Sequence, residues 1–480
     1  VIAPLLNILA ASFIADTAEP VVTQHSMQLH GLKLDYTATA GQLPLKNDDG
    51  ETEGRIFFVA YTKPGAPLGT RPITFAYNGG PGSSSIWLHM GTLGPRRTLL
   101  NDDGSFPKPP FKLVDNQETW LDDTDVVMVD AMGTGYSRLD KKDLSKKYYS
   151  LRGDIAAFGT FIKNYLAKYN RYSSPVFLAG ESYGGIRNAG LAAWLLENGV
   201  ALSGAISISG STNFQTLDGG RGNDLPFITF LPTMATTAQF HHRLKEKQSL
   251  TVEKLATEAR NFAEGEYAQA LQKGSALSDA EKSKIANRMS EFIGLSPRYI
   301  LGSNLRIPEF RFFKELMRDE NVIIGRYDGR LTGSDSTSAA NGPEYDPSDV
   351  AITAPMFSTW MSYVRTELNY QTEDRYRIFN DTADGWDNNT EEGYPDTSEN
   401  LRQVLTQNPY FKVFFAMGYY DFACNFAGTL YSINHSDLGP SQLSRLSYGY
   451  YPAGHMMYID SACRQKLKKD ISAFYASCRG

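Results

Sequence analysis

The stretch Val176-Phe177-Leu178-Ala179-Gly180-Glu181-Ser182-Tyr183-Gly184-Gly185 decides the reading of this chain. Four apolar residues of strand length stop abruptly at Gly180-Glu181-Ser182-Tyr183-Gly184, a match to G-x-S-x-G. In that pattern a sharp strand-to-helix turn holds the serine hydroxyl at the top of a sheet. The glycines are needed because the two backbones meet where a Cβ would clash. Beyond the turn, Ile186, Ala189, Ala192, Ala193, Leu195 and Leu196 recur at helical spacing, which predicts a helix of about four turns. Its N-terminus would face Ser182 and favour negative charge developing there. Five-residue matches also occur in idle glycine-rich loops, so the flanking sequence has to decide.

Outward from this turn, strands and helices alternate. Residues 20 to 62 read as antiparallel strands joined by turns. Ile73–Tyr77 is a strand that breaks into Asn78-Gly79-Gly80-Pro81-Gly82, and Val126–Asp130 is another that ends near Gly133-Thr134-Gly135. A helix over 154–169 leads into the elbow strand, and Ala205–Ser209 follows as a further strand. Glycine-rich turns at the strand ends predict an α/β fold with a mainly parallel central sheet flanked by helices and its site along the C-terminal edge. From 215 to 405 the alternation stops. Helical periodicity over 227–244, 252–273 and 279–292, a Gly/Ser/Asp-rich loop over 318–350 and a helix over 356–369 read as an inserted, mostly helical cap. Strand character returns at Lys412–Gly418 and Leu446–Tyr451, so 20–214 and 406–480 form the two parts of the core.

Composition bounds the function. The chain has 480 residues, 41% of them hydrophobic, and a formal net charge of −6. No basic patch points to nucleic acid, and after the N-terminus no apolar run approaches the roughly 18 residues of a membrane span. Val1–Ala15 is apolar, with Ala10-Ala11-Ser12 as a small-residue cleavage site. It reads as an export segment (1–18) rather than a buried first element, implying a secreted or periplasmic protein. Cys463 and Cys478 fall on a C-terminal helix about 22 Å apart, too far for a disulfide.

Acyl transfer by Ser182 needs a base and an orienting acid, in the chain order Ser, Asp/Glu, His for this fold. His455, in Gly454-His455-Met456 after the last strand, stands where that order places the base. Asp421, at the end of the preceding strand, stands where it could hold the imidazole; His435 reads as a surface residue. The N–H groups of Gly80 and Tyr183 are the candidate oxyanion donors. No His-E-x-x-His pattern occurs, and no metal or other cofactor is expected.

Asn78-Gly79-Gly80-Pro81-Gly82-x-Ser84-Ser85, Gly180–Gly185, Asp421-Phe422-Ala423-Cys424-Asn425 and Gly454-His455-Met456, in this order, resemble the serine carboxypeptidase family. The segments Trp87–Gly91 and Gly133–Arg138 are similar to its bacterial branch. The resemblance implies an α/β-hydrolase fold and release of C-terminal residues from peptide or protein C-termini, by monomers or homodimers. It also implies that Asn78, Glu181 and the N–H of Gly79 recognise the terminal carboxylate. A glutamic acid can donate to a carboxylate only when protonated, so activity is expected to weaken as pH rises through a raised Glu181 pKa. Cys424 and Met456 would line the substrate pocket. Two positions depart from the family: Thr92 stands where a second acid is common, and Ser83 where many relatives have a disulfide-forming cysteine. An esterase or acyltransferase using the same triad is the alternative activity, and a catalytically silent scaffold the alternative from another class.

Overall fold

The computed structural model describes residues 19–65, 67, 69–217, 219, 221–380 and 385–479; the expected export segment lies outside them. β1 (Val21–Leu29), β2 (Leu32–Lys46) and β3 (Thr52–Thr62) form an antiparallel meander. The sheet continues with β4 (Ile73–Tyr77), β5 (Asp125–Val129), β6 (Val176–Glu181), β7 (Gly204–Ile208), β8 (Lys412–Gly418) and β9 (Leu446–Tyr451). Their order is β1-β2-β3-β5-β4-β6-β7-β8-β9, with the short strand Arg138–Leu139 added on β3. Every pairing from β5 to β9 is parallel. This is the mainly parallel sheet of an α/β-hydrolase.

β4, β5, β6 and β7 are buried along their whole length, as strands covered on both faces must be. One face packs on a core containing Trp120, Trp360 and Tyr475, the other on a core containing Phe58, Phe161 and Leu195. α1 (Leu151–Lys168) starts at Ser150, whose Oγ accepts from Gly153 N at 3.1 Å. α2 (Gly184–Glu197) follows the elbow at the expected length. In register, Tyr77 pairs with Gly180, Glu181 with Ile208, and Gly418 with Tyr451, so the loops after these strands emerge at one edge.

The chain leaves the sheet between β7 and β8. α3 (Leu225–Phe240), α4 (Val252–Phe262) and α5 (Asp279–Ile293) bury Met234, Leu255 and Phe292 in a third core, which Phe422 joins. α6 (Pro347–Thr366) and α7 (Ser398–Gln407) instead put Trp360 and Leu401 into the two cores of the sheet. The stretch expected to be one long loop, 318–350, is more ordered than that. Val322–Ile324 pairs antiparallel with Thr332–Ser334 because Ile323 and Ile324 are buried, and α6 begins at Pro347, capped by Asp346. The turn between these two strands reaches the site. α8 (Phe426–Asn434) and α9 (Ser461–Cys478) complete the core, and all three cysteines are free. Among the described residues no helix is long and apolar enough to cross a membrane.

Candidate active site

Ser182 is the first residue beyond β6 and has φ of +62°, a left-handed backbone that side-chain-bearing residues adopt only where surroundings impose it. The surroundings here are backbone. A Cβ on Gly180 would lie 2.3 Å from the Gly184 carbonyl oxygen, and one on Gly185 would lie 2.8 Å from that of Ser211. The Ser182 N–H donates to Ile208 O at 3.0 Å, which ties the turn to β7.

Asp421 and His455 meet at the ends of β8 and β9. Asp421 is fully buried; its Oδ1 accepts from the N–H groups of Ala423 (2.7 Å) and Cys424 (2.9 Å). That leaves Oδ2 for His455 Nδ1, at 2.9 Å. A carboxylate only accepts, so the imidazole proton sits on Nδ1 and the Nε2 lone pair is left for Ser182. Burial opposes charge on His455, but the Asp421 charge and hydrogen bond outweigh it and hold the imidazole above its ordinary value. Ser182 Oγ and His455 Nε2 share a cavity without being hydrogen-bonded; the contact of Oγ is Cys424 Sγ, at 3.9 Å. Catalytic hydrogen bonds often close only when substrate arrives. Burial pushes the Cys424 thiol far up, so it is neutral.

Asn78 follows β4, and every polar atom of it is used. Its N–H donates to Ser85 Oγ (3.3 Å), its carbonyl accepts from Arg187 Nη1 (2.8 Å) and its Oδ1 accepts from Leu88 N (3.0 Å). The last bond fixes the amide, so Nδ2 must point to Glu181 Oε1, at 2.7 Å. Arg187 is itself buried and gripped by Asp154 through Nε–Oδ2 (2.7 Å) and Nη2–Oδ1 (3.2 Å). One guanidinium thus joins α1, α2 and the Asn78 loop. Gly79 lies against the elbow, where a Cβ would be 2.4 Å from Tyr183 N. Gly80 has φ of +107°. Among the described residues, neither the Gly80 nor the Tyr183 N–H enters a backbone hydrogen bond, so both remain free donors.

Glu181 is buried beside Ser182, and its pKa is pushed up to about 7, above all by loss of water. His455, Tyr458 and Asn78 pull the other way, and Asp421 adds to the rise. Its Oε2 has no well-aligned hydrogen-bond partner among the described residues, although the Tyr458 hydroxyl lies close enough to interact with it. Thr92 is buried with its hydroxyl unpartnered.

Two cavities meet at Ser182. One, of about 420 Å³, is lined by Phe214, Phe230, Trp386 and Cys424 among others. The second, of about 60 Å³, holds Asn78, Glu181, Trp87, Tyr327, His455 and Met456. Arg326 borders both. Of the residues singled out in the sequence, Ser182, Gly80, Asn78, Gly79, Glu181, Cys424, His455 and Met456 line these cavities, and Asp421 reaches them through His455, while Tyr183 and Thr92 line neither. Arg326, Tyr327 and Tyr458 were missed, since the first two lie in a stretch without a readable motif and a tyrosine after Met456-Met457 looks like core. Tyr327 stacks on His455, with ring centroids 5.6 Å apart, and its carbonyl accepts from His455 N at 2.6 Å.

The serine carboxypeptidase family model matches residues 33–448. Serine carboxypeptidase-like 36 of Arabidopsis thaliana is 31% identical over 137 residues, 28% of this chain and 26% of that protein. Serine carboxypeptidase-like 40 of the same plant is 30% identical over 156 residues, 30% of this chain and 29% of that protein. The chain thus spans less than a third of these curated relatives. Among solved structures, a proline iminopeptidase from Mycobacterium smegmatis aligns at a TM-score of 0.40 with 10% identity, covering 92% of this chain and 98% of that one. A carboxyl esterase from Bacillus coagulans aligns at 0.36 with 13% identity, covering 90% and 96%. The family match extends over most of the sequence and takes in the loops after β4, β6 and β8: this chain belongs to the serine carboxypeptidase family.

Proposed function

We propose that this protein is a serine-type carboxypeptidase that releases C-terminal residues from peptides. The observation that carries this reading is Glu181, a buried acid held by Asn78 beside the nucleophile, which keeps its proton toward neutral pH. An acid so placed has no part in simple ester hydrolysis, but it can donate to a substrate's terminal carboxylate.

In this reading Ser182 Oγ attacks the carbonyl carbon of the last peptide bond while His455 Nε2 takes its proton. The oxyanion receives the N–H groups of Gly80 and Tyr183. The tetrahedral intermediate collapses as His455 protonates the leaving nitrogen, and the free amino acid departs. Water, deprotonated by His455, then attacks the acyl-enzyme, and Ser182 is regenerated. Asp421 holds the imidazole tautomer throughout. The small cavity beside Glu181, walled by Trp87, Tyr327 and Met456, takes the leaving residue and favours an apolar one.

A blocked dipeptide and its C-terminal amide test the reading. Release of the last residue from the free acid, but from the amide at least about tenfold more slowly, is expected. Cleavage of a simple ester with no release from the dipeptide at any pH would show an esterase or acyltransferase instead.

A further inference from the structure

Next to the nucleophile, Glu181 Oε2 and the Tyr458 hydroxyl lie close to each other, yet neither has a well-aligned hydrogen-bond partner among the described residues. Both residues are essentially inaccessible to water. Orphaned buried groups each cost stability, so a pair of them in one place calls for an explanation. The ring of Tyr458 is fixed in position. It lies over Gly91, where a Cβ would come within 2.3 Å of its Cε2, and its carbonyl accepts from Arg464 Nη1 at 3.1 Å. Gly91 belongs to the segment that follows the Asn78 loop, and Tyr458 comes three residues after His455. The hydroxyl lies close to both Glu181 and Asn78, and Asn78 Nδ2 already donates to Glu181 Oε1.

We propose that the Tyr458 hydroxyl binds the substrate's terminal carboxylate together with Glu181, one carboxylate oxygen accepting from Tyr458 and the other from Glu181 Oε2–H. This inference rests on the carboxypeptidase reading and adds to it the residue that completes the anion site. A bound carboxylate would give both groups a partner at once, one oxygen for each, and its charge makes both bonds stronger than those to a neutral acceptor. The groups facing Glu181 are His455, Asp421, Tyr327, Cys424 and Tyr458. Burial drives the tyrosines and the thiol upward, so they stay protonated; Glu181 is pushed up to about 7, and Asp421 holds His455 above its ordinary value.

The test is Tyr458→Phe, which keeps the ring over Gly91 and removes only the oxygen. Hydrolysis of a simple acyl ester reports the triad, and a blocked dipeptide acid and its amide are compared as competitive inhibitors of it. In the variant the acid's inhibition constant should rise about tenfold or more while the amide's does not. The pH at which acid binding is lost should move up, since the Tyr458 hydroxyl holds the Glu181 pKa down. Equal weakening of acid and amide, or no weakening of either, would overturn the role of Tyr458. A wild-type enzyme that binds acid no better than amide would instead sink the carboxypeptidase reading, and this proposal with it.

Discussion

The Gly454 N–H donates to Asp328 Oδ2 at 3.0 Å, so the loop carrying His455 is held by the segment inserted between β7 and β8. Asp328 is in turn clamped by Arg330, which also reaches Asp460 at 3.0 Å and the Pro452 carbonyl at 2.8 Å. Both ends of the histidine loop are thereby fixed. Asp328→Ala should lower stability by about 2–4 kcal/mol, since it leaves Arg330 short of a partner. It should also reduce kcat more than it raises KM, read by thermal melting and steady-state kinetics.

Replacing the acylating group or its orienter should separate chemistry from folding. Ser182→Ala is expected to lower kcat about 10⁴-fold or more and Asp421→Asn about 10⁴-fold, the latter by allowing the wrong imidazole tautomer. Binding of an unreactive dipeptide to Ser182→Ala should persist. A serine-directed phosphonate should label the wild type and leave Ser182→Ala unmodified.

Peptide turnover should be bell-shaped in pH and narrow. His455 must be neutral, which requires a pH above its raised pKa, and Glu181 must be protonated, which requires a pH below about 7. The two titrations are coupled, because each charge favours the other. In Glu181→Gln the fall toward alkaline pH should disappear. The acidic limb should remain, since Glu181 is already protonated and uncharged there, as the glutamine is.

The same residue sets a stability gradient. Glu181 has an ordinary value near 4.5 when unfolded and about 7 when folded, so the folded state binds the proton more tightly. Its contribution is complete below pH about 4.5 and is lost as pH rises through about 7. By linkage this amounts to about 3 kcal/mol. Glu181→Gln should therefore gain stability relative to wild type at pH 8 but not at pH 4, measured by denaturant unfolding.

Arg326 opposes the imidazolium across the cleft. Arg326→Gln should raise the His455 pKa and move the acidic limb of ester hydrolysis to higher pH, with kcat/KM at pH 6 falling about threefold. An unchanged limb would mean that solvent screens this charge.

Further from the chemistry, Arg187→Met leaves Asp154 buried and unpaired and frees the Asn78 carbonyl. A loss of about 3–5 kcal/mol is expected, with carboxylate binding impaired through Asn78.

Much of this protein was legible in one dimension because local backbone demands are written in local residues. The strand that stops at Gly180, the glycines around Ser182 and the helical period after it define the elbow. The apolar runs of β4, β5 and β7 identify strands covered on both faces. Chain order alone singled out Asp421 and His455 once the nucleophile was assigned. Tertiary structure decided what depends on residues far apart in sequence. Asn78 is oriented toward Glu181 by Leu88 and Arg187, and burial among side chains from several elements raises the Glu181 pKa. The turn at Arg326 and Tyr327 reaches His455 from within a stretch that reads as loop, because its two short strands are held by packing rather than by pattern. Tyr458 carries no signal at all in the sequence. Its place beside Glu181 follows from the absence of a side chain at Gly91, hundreds of residues away, which only the folded chain brings beneath it.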